Sequence, residues 1–215
     1  MMKTKQEQFW SGDFGKEYTD RNPQNLEEWN KLYMNNYGRK KTDMNEDFLK
    51  NLNREARILE VGCNIGLQLL GLQTMGFKNL YGIELQSYAV EKAKKITKGI
   101  NIIQGSGFDI PFKDRYFDMV YTAGVLIHIA PDNLPKIISE MIRCSRKYVW
   151  GFEYYSAIKK EINYRGNKGF LWKMDYANEF LKQDKSLKEV KRKIIPYIND
   201  GEKGNNDIMY LLKIC

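Results

Sequence analysis

Short apolar runs alternate with stretches of helical periodicity through the middle of the chain, and this alternation restricts the fold more than any other feature. Five apolar runs predict buried strands, at 57–61, 79–84, 100–104, 116–122 and 147–154. Helical spacing predicts the intervening helices, at 67–75, 87–97 (with Ser87 as N-cap) and 133–144. Strands that alternate with helices in this way form a parallel sheet with helices on both faces.

The C-terminal part of the chain departs from this alternation. Segments 187–197 and 207–214 predict two strands joined by a turn-rich loop, which gives an antiparallel hairpin at the end of the sheet. Between the fifth strand and this hairpin lies an insert, 155–185, with a helix-like run at 171–181. The expected fold of residues 56–215 is therefore α/β, a doubly wound sheet of seven strands that is mostly parallel.

The first part of the chain is polar and rich in aromatic residues. Helix-like runs at 26–34 and 45–52 predict an N-terminal helical arm over residues 1–55. We treat this arm as a unit separate from the sheet that follows it.

Histidine and cysteine usage narrows the possible chemistry. The single histidine, His128, excludes a metal site built from several histidines, and we expect no metal. The cysteines, Cys63, Cys144 and Cys215, lie far apart without a CxxC pair, so neither a zinc knuckle nor a disulfide framework is indicated. The chain starts without the apolar run of a signal peptide and contains no apolar stretch of about 18 residues. We therefore expect a cytoplasmic protein that does not span a membrane.

The net charge of +8 raises the question of nucleic-acid binding. Lysines outnumber arginines 26 to 9 and are spread along the chain, and the densest basic stretch, 182–193, is interrupted by Asp184 and Glu189. We interpret the excess as a solvated surface and do not expect a nucleic-acid partner. An RNA or protein substrate is kept as the alternative.

The first predicted strand ends in a glycine turn, in the segment Ile58-Leu-Glu-Val-Gly-Cys-Asn-Ile-Gly66. In a doubly wound sheet, this turn lies at the carboxyl end of a central strand, where ligands bind. Gly62 and Gly66 let the backbone approach a ligand closely. The spacing is not that of the G-x-G-x-x-G dinucleotide motif, and the acidic Glu60 suits a cationic ligand with an amino group better than a pyrophosphate.

Three further elements follow strands two, three and four. Glu84, 22 residues after Gly62, ends the second strand and can accept hydrogen bonds from ribose hydroxyls. After strand three, Ser106 and the backbone of 105–109 can bind an adenine edge, and Phe108 can cover the ring. The segment 122–129 follows strand four directly and contains His128.

These four elements, in this order, resemble the class I S-adenosylmethionine-dependent methyltransferases, which have a Rossmann-like fold. The resemblance covers residues 56–153 and the terminal hairpin. It implies S-adenosylmethionine as cofactor and S-adenosylhomocysteine as product. On the methionine side, the implied cofactor contacts are Glu60, Gly62, Cys63, Asn64 and Gly66. The ribose would meet Glu84 and Leu85, and the adenine would meet Ser106, Gly107 and Phe108. The loop after strand four would add Thr122 and Ala123. Cys63 is interpreted as a small filler and not as a nucleophile, because no base or basic neighbourhood is evident.

The chain departs from the family pattern at two points. The strand-three loop of the family often carries an acid for the adenine amino group, and here Ser106 stands in its place. The glycine turn has Asn64-Ile65 where a smaller residue and glycine are common. Cofactor binding is expected to survive both changes, because backbone groups supply many of the contacts.

The two ends of the chain carry a narrower resemblance. The opening Phe9-Trp-Ser-Gly-Asp-Phe-Gly-Lys-Glu-Tyr18 with Arg21-Asn22, the segment Val125–Ile129, and Tyr164-Arg-Gly166 with Leu171-Trp-Lys-Met-Asp175 resemble bacterial methylases associated with pseudaminic acid biosynthesis. This resemblance implies a sugar or nucleotide-sugar substrate from a surface-glycan pathway. The oligomeric state is left open.

The residues around the expected site suggest roles in catalysis and closure. His128 is the first candidate for a base that takes a proton from an acceptor hydroxyl, with Glu153 and Asp175 next. The arm is expected to act as a lid from which Tyr18 and Arg21 reach the cofactor carboxylate or an anionic substrate. Substrate contacts are expected from the arm, the end of strand five and the insert: Trp10, Phe14, Tyr155, Tyr164, Arg165, Trp172 and Lys173. A non-catalytic protein that binds an adenosyl ligand is a third hypothesis.

Overall fold

The computed structural model describes residues 3–215, the side chain of Glu202 excepted. Its strands are β1 (Arg57–Val61), β2 (Asn79–Glu84), β3 (Asn101–Gln104), β4 (Phe117–Ala123), β5 (Ser145–Tyr155), β6 (Lys160–Glu161), β7 (Trp172–Lys173), β8 (Leu187–Pro196) and β9 (Asn206–Ile214). Its α-helices are α1 (Lys5–Ser11), α2 (Asp13–Arg21), α3 (Leu26–Tyr37), α4 (Lys41–Leu49), α5 (Leu67–Thr74), α6 (Ser87–Ile96), α7 (Leu134–Cys144) and α8 (Tyr176–Gln183). Short 3-10 turns lie at Leu126–His128 and Asp200–Glu202.

The main sheet has seven strands in the order β3-β2-β1-β4-β5-β9-β8. Strands β1 to β5 pair in parallel, whereas β9 pairs antiparallel to both β5 and β8. The predicted fold class, with its C-terminal antiparallel hairpin and N-terminal helices, is confirmed. In this sheet β1 lies between β2 and β4. The strand order therefore reverses at β1, and a crevice opens at the carboxyl ends of these strands, where ligands of such sheets bind.

The core lies on both faces of the sheet. Ile58 and Leu59 on β1 are fully buried but pack into different clusters, since successive strand residues point to opposite faces. The first cluster includes side chains of α7 and α8, and the second includes side chains of α4, α5 and α6. Burial on both sides explains why the central strands read as continuous apolar runs.

Some local predictions need correction. Ser87 is the first residue of α6, and its N-cap is Gln86, whose side chain accepts a hydrogen bond from the Tyr88 backbone N–H. The predicted helix at 171–181 is divided into the short strand β7 and the helix α8. Helix α8 begins only at Tyr176 because the Asp175 side chain caps it, accepting from the Asn178 backbone N–H at 3.0 Å. None of the helices among residues 3–215 is long and apolar enough to cross a membrane.

A buried polar cluster lies between α3, α4 and the terminal hairpin. The Asp207 carboxylate accepts hydrogen bonds from the hydroxyls of Tyr37 and Tyr197, and it is fully buried. Lys41, also fully buried, places its Nζ over the Phe152 ring at 3.1 Å from the centroid. Burial lowers the pKa of Lys41 well below its usual range and raises that of Asp207 to about 7, so the folded chain disfavours both charges.

Replacing Asp207 by asparagine should change the pH dependence of stability. The pKa of Asp207 is raised in the folded state, so its contribution to stability is fully present below about pH 4 and is lost as the pH rises through about 7. Between pH 4.5 and 8, the free energy of unfolding of the wild type should decrease because Asp207 becomes charged. In Asp207→Asn this decrease should be smaller by about 2–4 kcal/mol. Urea titrations across this range test the difference, with the exposed Asp132→Asn as the control for a lost charge. Parallel slopes for wild type and Asp207→Asn would contradict the assignment.

Candidate functional site

A cavity of about 290 Å³ lies at the carboxyl ends of β1, β2, β3 and β4. The sheet side of its wall contains residues that the sequence predicts as cofactor contacts: Glu60, Gly62, Cys63, Asn64, Glu84, Leu85, Ser106, Gly107, Phe108 and Ala123. The arm and the loop after β4 add Trp10, Tyr18 and His128 to the same wall. These separately predicted elements therefore meet at one site.

The glycine turn after β1 is held in a left-handed conformation. Gly62 has φ +74° and donates its backbone N–H to the Ile83 carbonyl at 2.8 Å. Asn64 also has a positive φ, and its backbone N–H donates to Glu84 Oε2 at 2.8 Å. Gly66 does not line the cavity; a Cβ there would lie 3.0 Å from Ile102 Cδ1, so this glycine allows α5 to pack closely against β3. The predicted ligand contact of Gly66 is replaced by a packing role.

Glu84 links the first two loops. Its two carboxylate oxygens accept from the backbone N–H groups of Asn64 and Gln86, each at 2.8 Å. Burial raises the pKa of Glu84, and these two bonds act against the increase. A carboxylate oxygen can accept more than one hydrogen bond, so both oxygens keep capacity for ligand hydroxyls.

Glu60 and Cys63 are buried beside the turn. Glu60 is 3% exposed and accepts from the Tyr121 hydroxyl at 2.9 Å; burial raises its pKa well above the usual range, against that hydrogen bond. A cationic ligand group beside Glu60 would offset the cost of the buried charge. Burial also raises the pKa of the Cys63 thiol, and Sγ packs where a Cβ on Gly82 would stand, 2.6 Å away. The Cys63 side chain thus fills the space beside Gly82, and its interpretation as a filler and not a nucleophile stays a prediction.

His128 lies in the 3-10 turn after β4 and is 8% exposed. Its Nδ1 lies 2.7 Å from the Phe170 carbonyl oxygen. A carbonyl only accepts, so Nδ1 carries the proton and Nε2 keeps a lone pair. Burial lowers the pKa of His128 to about 4, against the bond to Phe170, so the ring is neutral at pH 7.

Glu153, the first alternative base, lies near the end of β5 as expected but does not face the cavity. It is 1% exposed, does not line the cavity, and accepts from the backbone N–H groups of Val125 and Ile127 at 3.2 and 3.4 Å. Burial raises its pKa to about 7. Glu153 therefore holds the loop that carries His128 and does not reach a substrate. Thr122, predicted as a cofactor contact, is likewise fully buried beneath the cavity wall.

Aromatic residues of the arm pack over His128. The centroid of the Trp10 ring lies 4.4 Å from that of the His128 ring and 5.1 Å from that of the Tyr18 ring. The ring centroid of Tyr164, from the insert, lies 4.9 Å from that of His128. Phe14 contacts Trp10 and Tyr164 from outside the cavity wall. The arm and the insert thus form one aromatic cover over His128, and the action of this cover as a lid stays a prediction.

Hydrogen bonds also fasten α1 and α2 to the cofactor loops. Ser106 Oγ donates to Glu7 Oε1 at 2.6 Å, Gln86 Nε2 donates to the Gly12 carbonyl at 2.9 Å, and Thr19 Oγ1 donates to Asn64 Oδ1 at 3.2 Å. Each predicted loop from β1, β2 and β3 is therefore joined to the arm. Access to the cavity from this side requires these bonds to open.

Several predicted residues lie away from the cavity. Arg21 is exposed and stacks on Phe14 and Tyr18, so it does not reach the predicted cofactor carboxylate. Arg165 is exposed on a turn with φ +49°. Asp175 caps α8 and forms an ion pair with Arg192, which excludes it as the second alternative base.

Three further predicted substrate contacts are structural. Trp172 is 7% exposed and belongs to the core, and Tyr155 packs against that core. Lys173 Nζ donates to Asn205 Oδ1 at 2.5 Å. None of the three lines the cavity.

The sequence interpretation missed cavity residues that come from the arm, from α5 and from loop edges: Gln6, Glu7, Thr19, Tyr33, Gln68, Gln86 and Val125. One signal was present in the sequence, since Thr4-x-x-Glu7 matches the capping box that begins α1. That pattern predicts the start of a helix, but it does not predict the loop against which the helix packs.

The cavity residues fit a ligand with positive charge and hydrogen-bond donors. Three carboxylates, from Glu7, Glu60 and Glu84, line the wall. The indole N–H of Trp10 is buried and has no hydrogen-bond partner among residues 3–215. At Gly107, a Cβ would lie 2.7 Å from Ile137 Cδ1, so this part of the wall needs a residue without a side chain. Within the described residues, no cluster of histidine, cysteine and acidic groups is placed to hold a metal.

Comparison with known proteins gives a family match and partial matches to curated proteins. Residues 59–149 match the family model of a methyltransferase domain. An O-methyltransferase of Aspergillus nomiae is 30% identical over 82 residues, which is 35% of this chain and 36% of the relative. An uncharacterized Haemophilus influenzae protein is 27% identical over 96 residues, 42% of this chain and 38% of the relative. The matches thus span little more than a third of these curated relatives.

Solved structures match over more of the chain. An S-adenosylmethionine-dependent methyltransferase from Anabaena variabilis has a TM-score of 0.70 at 12% identity, covering 99% of this chain and 96% of that one. A Burkholderia thailandensis 1,6-didemethyltoxoflavin N1-methyltransferase, with bound S-adenosylhomocysteine, has a TM-score of 0.64 at 13% identity, covering 80% and 76%. The chain therefore shares the fold of these methyltransferases, and its residues 59–149 match a methyltransferase domain.

Proposed function

We propose that the protein transfers a methyl group from S-adenosylmethionine to a small-molecule acceptor and releases S-adenosylhomocysteine. The observation that carries this proposal is the acid-lined cavity at the carboxyl ends of β1 to β4, beneath α1 and α2. In this proposal, Glu60 and the backbone of the glycine turn hold the methionine part. Glu84 and Leu85 hold the ribose, and the loop at 106–108 holds the adenine.

His128 is proposed as the base for a hydroxyl acceptor. Bound S-adenosylmethionine supplies a methyl group already activated on a sulfonium. As the acceptor oxygen takes the methyl, His128 Nε2 takes the hydroxyl proton, while Nδ1–H stays bonded to the Phe170 carbonyl. Glu153 keeps the His128 loop in place through the backbone N–H groups of Val125 and Ile127. The aromatic cover of arm and insert excludes water and aligns the acceptor.

The acceptor is proposed to be a sugar or nucleotide-sugar of the pseudaminic acid type. The three segments that carry the narrower resemblance come together in the fold: Trp10 of the arm, His128 and Tyr164 are in mutual ring contact. Aromatic faces beside a hydrogen-bonding group suit a ligand with apolar and hydroxyl faces. This contact supports an acceptor site at the junction of arm and insert.

The alternative of an RNA substrate rests on the net charge. The densest basic stretch lies on α8 and β8, and β8 is at the edge of the sheet opposite to β3. Several of its cations are engaged: Lys182 pairs with Glu179, and Arg192 pairs with Asp175 and Glu189. Charged side chains on an edge strand also prevent pairing with other chains. These positions favour the small-molecule proposal.

Calorimetric titration of the wild-type protein with S-adenosylhomocysteine and S-adenosylmethionine tests the proposed cofactor. Release of S-adenosylhomocysteine is then measured with candidate nucleotide-sugars and, separately, with RNA at low and high salt. The proposal predicts binding of both cofactor forms and turnover with a sugar acceptor. Absence of cofactor binding would contradict the proposal. Turnover only with RNA would favour an RNA methyltransferase. Cofactor binding without turnover on any acceptor would favour a non-catalytic protein that binds an adenosyl ligand.

A further inference from the structure

We propose that Glu7 of the N-terminal arm reads the purine of the bound nucleoside, with its carboxylate accepting the exocyclic amine of adenine. This inference rests on the proposed function, because it concerns the same cofactor. It adds a binding residue that lies about 100 positions along the chain from the loop it completes.

Glu7 meets the end of β3 directly. Its Oε1 accepts from Ser106 Oγ at 2.6 Å, and both residues line the cavity. Ser106 Oγ in turn accepts from the Phe108 backbone N–H at 3.1 Å. Ser106 Oγ keeps one further lone pair, but the charged carboxylate of Glu7 is the stronger acceptor for a ligand amine at this point.

The Glu7 carboxylate is also held from its own helix. Its Oε2 accepts from the Thr4 backbone N–H at 2.8 Å, and the Glu7 backbone N–H donates to Thr4 Oγ1 at 3.1 Å, which completes a capping box. Each carboxylate oxygen therefore has one partner and retains capacity for a second hydrogen bond. A carboxylate fixed in this way is acceptor-only and directional.

The surroundings of Glu7 suit a flat ring. Phe108, Ile129 and Ile137 give this part of the cavity apolar walls. Gly107 brings the walls close, since a Cβ there would lie 2.9 Å from Val61 Cγ1. The other two acids of the cavity lie at the ends of β1 and β2, where Glu60 is bonded to Tyr121 and Glu84 to loop backbone.

The chemistry of Glu7 distinguishes between purines. The 6-amino group of adenine donates a hydrogen bond to a carboxylate, whereas the 6-oxo group of hypoxanthine presents a lone pair to it and is repelled. The same contact links binding to the arm, because the purine would bridge α1 and the β3 loop. Cofactor binding is then expected to stabilise the closed arm.

Titration of wild type and Glu7→Gln with S-adenosylhomocysteine and with S-inosylhomocysteine tests this inference. Glutamine keeps the capping box, so α1 is expected to form in the variant. The wild type should prefer the adenine ligand by about 30-fold or more, because a charge-assisted hydrogen bond is lost with hypoxanthine. In Glu7→Gln the amide can donate to the 6-oxo group of hypoxanthine. The preference for S-adenosylhomocysteine over S-inosylhomocysteine should therefore be about tenfold smaller than in the wild type, or smaller still.

Glu17→Gln is the matched control, since Glu17 is an exposed acid on α2 of the same arm and does not line the cavity. It should retain the wild-type preference. If Glu7→Gln binds S-adenosylhomocysteine and prefers it over S-inosylhomocysteine as strongly as the wild type does, the inference is overturned. The proposed function is then unaffected. Failure of the wild type to bind S-adenosylhomocysteine overturns both.

Discussion

Replacing Gly62 by alanine is expected to weaken the binding of S-adenosylhomocysteine about 100-fold or more, which corresponds to about 2.7 kcal/mol. Gly62 has φ +74°, a conformation that costs a residue with a Cβ about 1–2 kcal/mol. The added Cβ would also lie 2.7 Å from Val125 Cγ2. Because Val125 belongs to the cavity wall, relief of this overlap moves either the glycine turn or the loop after β4. Calorimetric titration measures the loss.

Gly124→Ala separates backbone strain from overlap. Gly124 also lines the cavity and has φ +71°, but no atom outside its neighbours lies within 4 Å of its Cβ position. It should therefore carry the strain alone and lose about tenfold in affinity or less. Circular dichroism and thermal unfolding establish that both variants fold. An affinity of folded Gly62→Ala within threefold of the wild type, on the order of 0.6 kcal/mol, would refute the account of the turn.

Replacing His128 by alanine is expected to lower kcat for methyl transfer to a hydroxyl acceptor by about 10²–10⁴-fold, the usual contribution of a positioned base. Affinity for S-adenosylhomocysteine should change little, because the base acts on the acceptor. The pKa of His128 is about 4, so the wild-type rate should rise with pH through that value and remain level from about pH 6 upward. The variant should lack this inflection. Rates of S-adenosylhomocysteine release across this pH range give both quantities.

His128→Asn distinguishes a base from a structural residue. The asparagine amide can donate to the Phe170 carbonyl as Nδ1–H does, but it offers no basic lone pair. A base role predicts that asparagine and alanine lose activity alike. If His128→Asn, or His128→Ala, retained wild-type turnover, the proton-acceptor role would be excluded.

Much of the site was predictable because the relevant signals are local. Glu60, Gly62 and Asn64 follow one another at the end of β1, and Glu84 ends β2. Parallel strands with helical crossovers bring these ends to the same edge of the sheet, so strand order and spacing were sufficient to bring the loops together. The bounds of β1 and β2 agree with their predicted ranges for the same reason.

The catalytic alternatives were harder to predict. Glu153 lies near the end of a predicted strand and Asp175 within a predicted helix, but Glu153 accepts from a loop backbone and Asp175 caps α8. A carboxylate can accept backbone N–H groups or take part in chemistry, and sequence position alone does not distinguish these uses. Arg165, on a turn, and Lys173, on β7, do not line the cavity, because the direction of a side chain in the insert depends on tertiary packing.

The sequence by itself therefore determined the α/β sheet, the glycine turn and the acids at the ends of β1 and β2, because periodicity and turn chemistry act over a few neighbouring residues. Only the tertiary structure decided which groups from distant segments meet there. It placed Glu7 against Ser106, Trp10 against His128, and the Phe170 carbonyl on His128 Nδ1. Such contacts arise from the packing of the arm and insert on the sheet, and no local pattern encodes them.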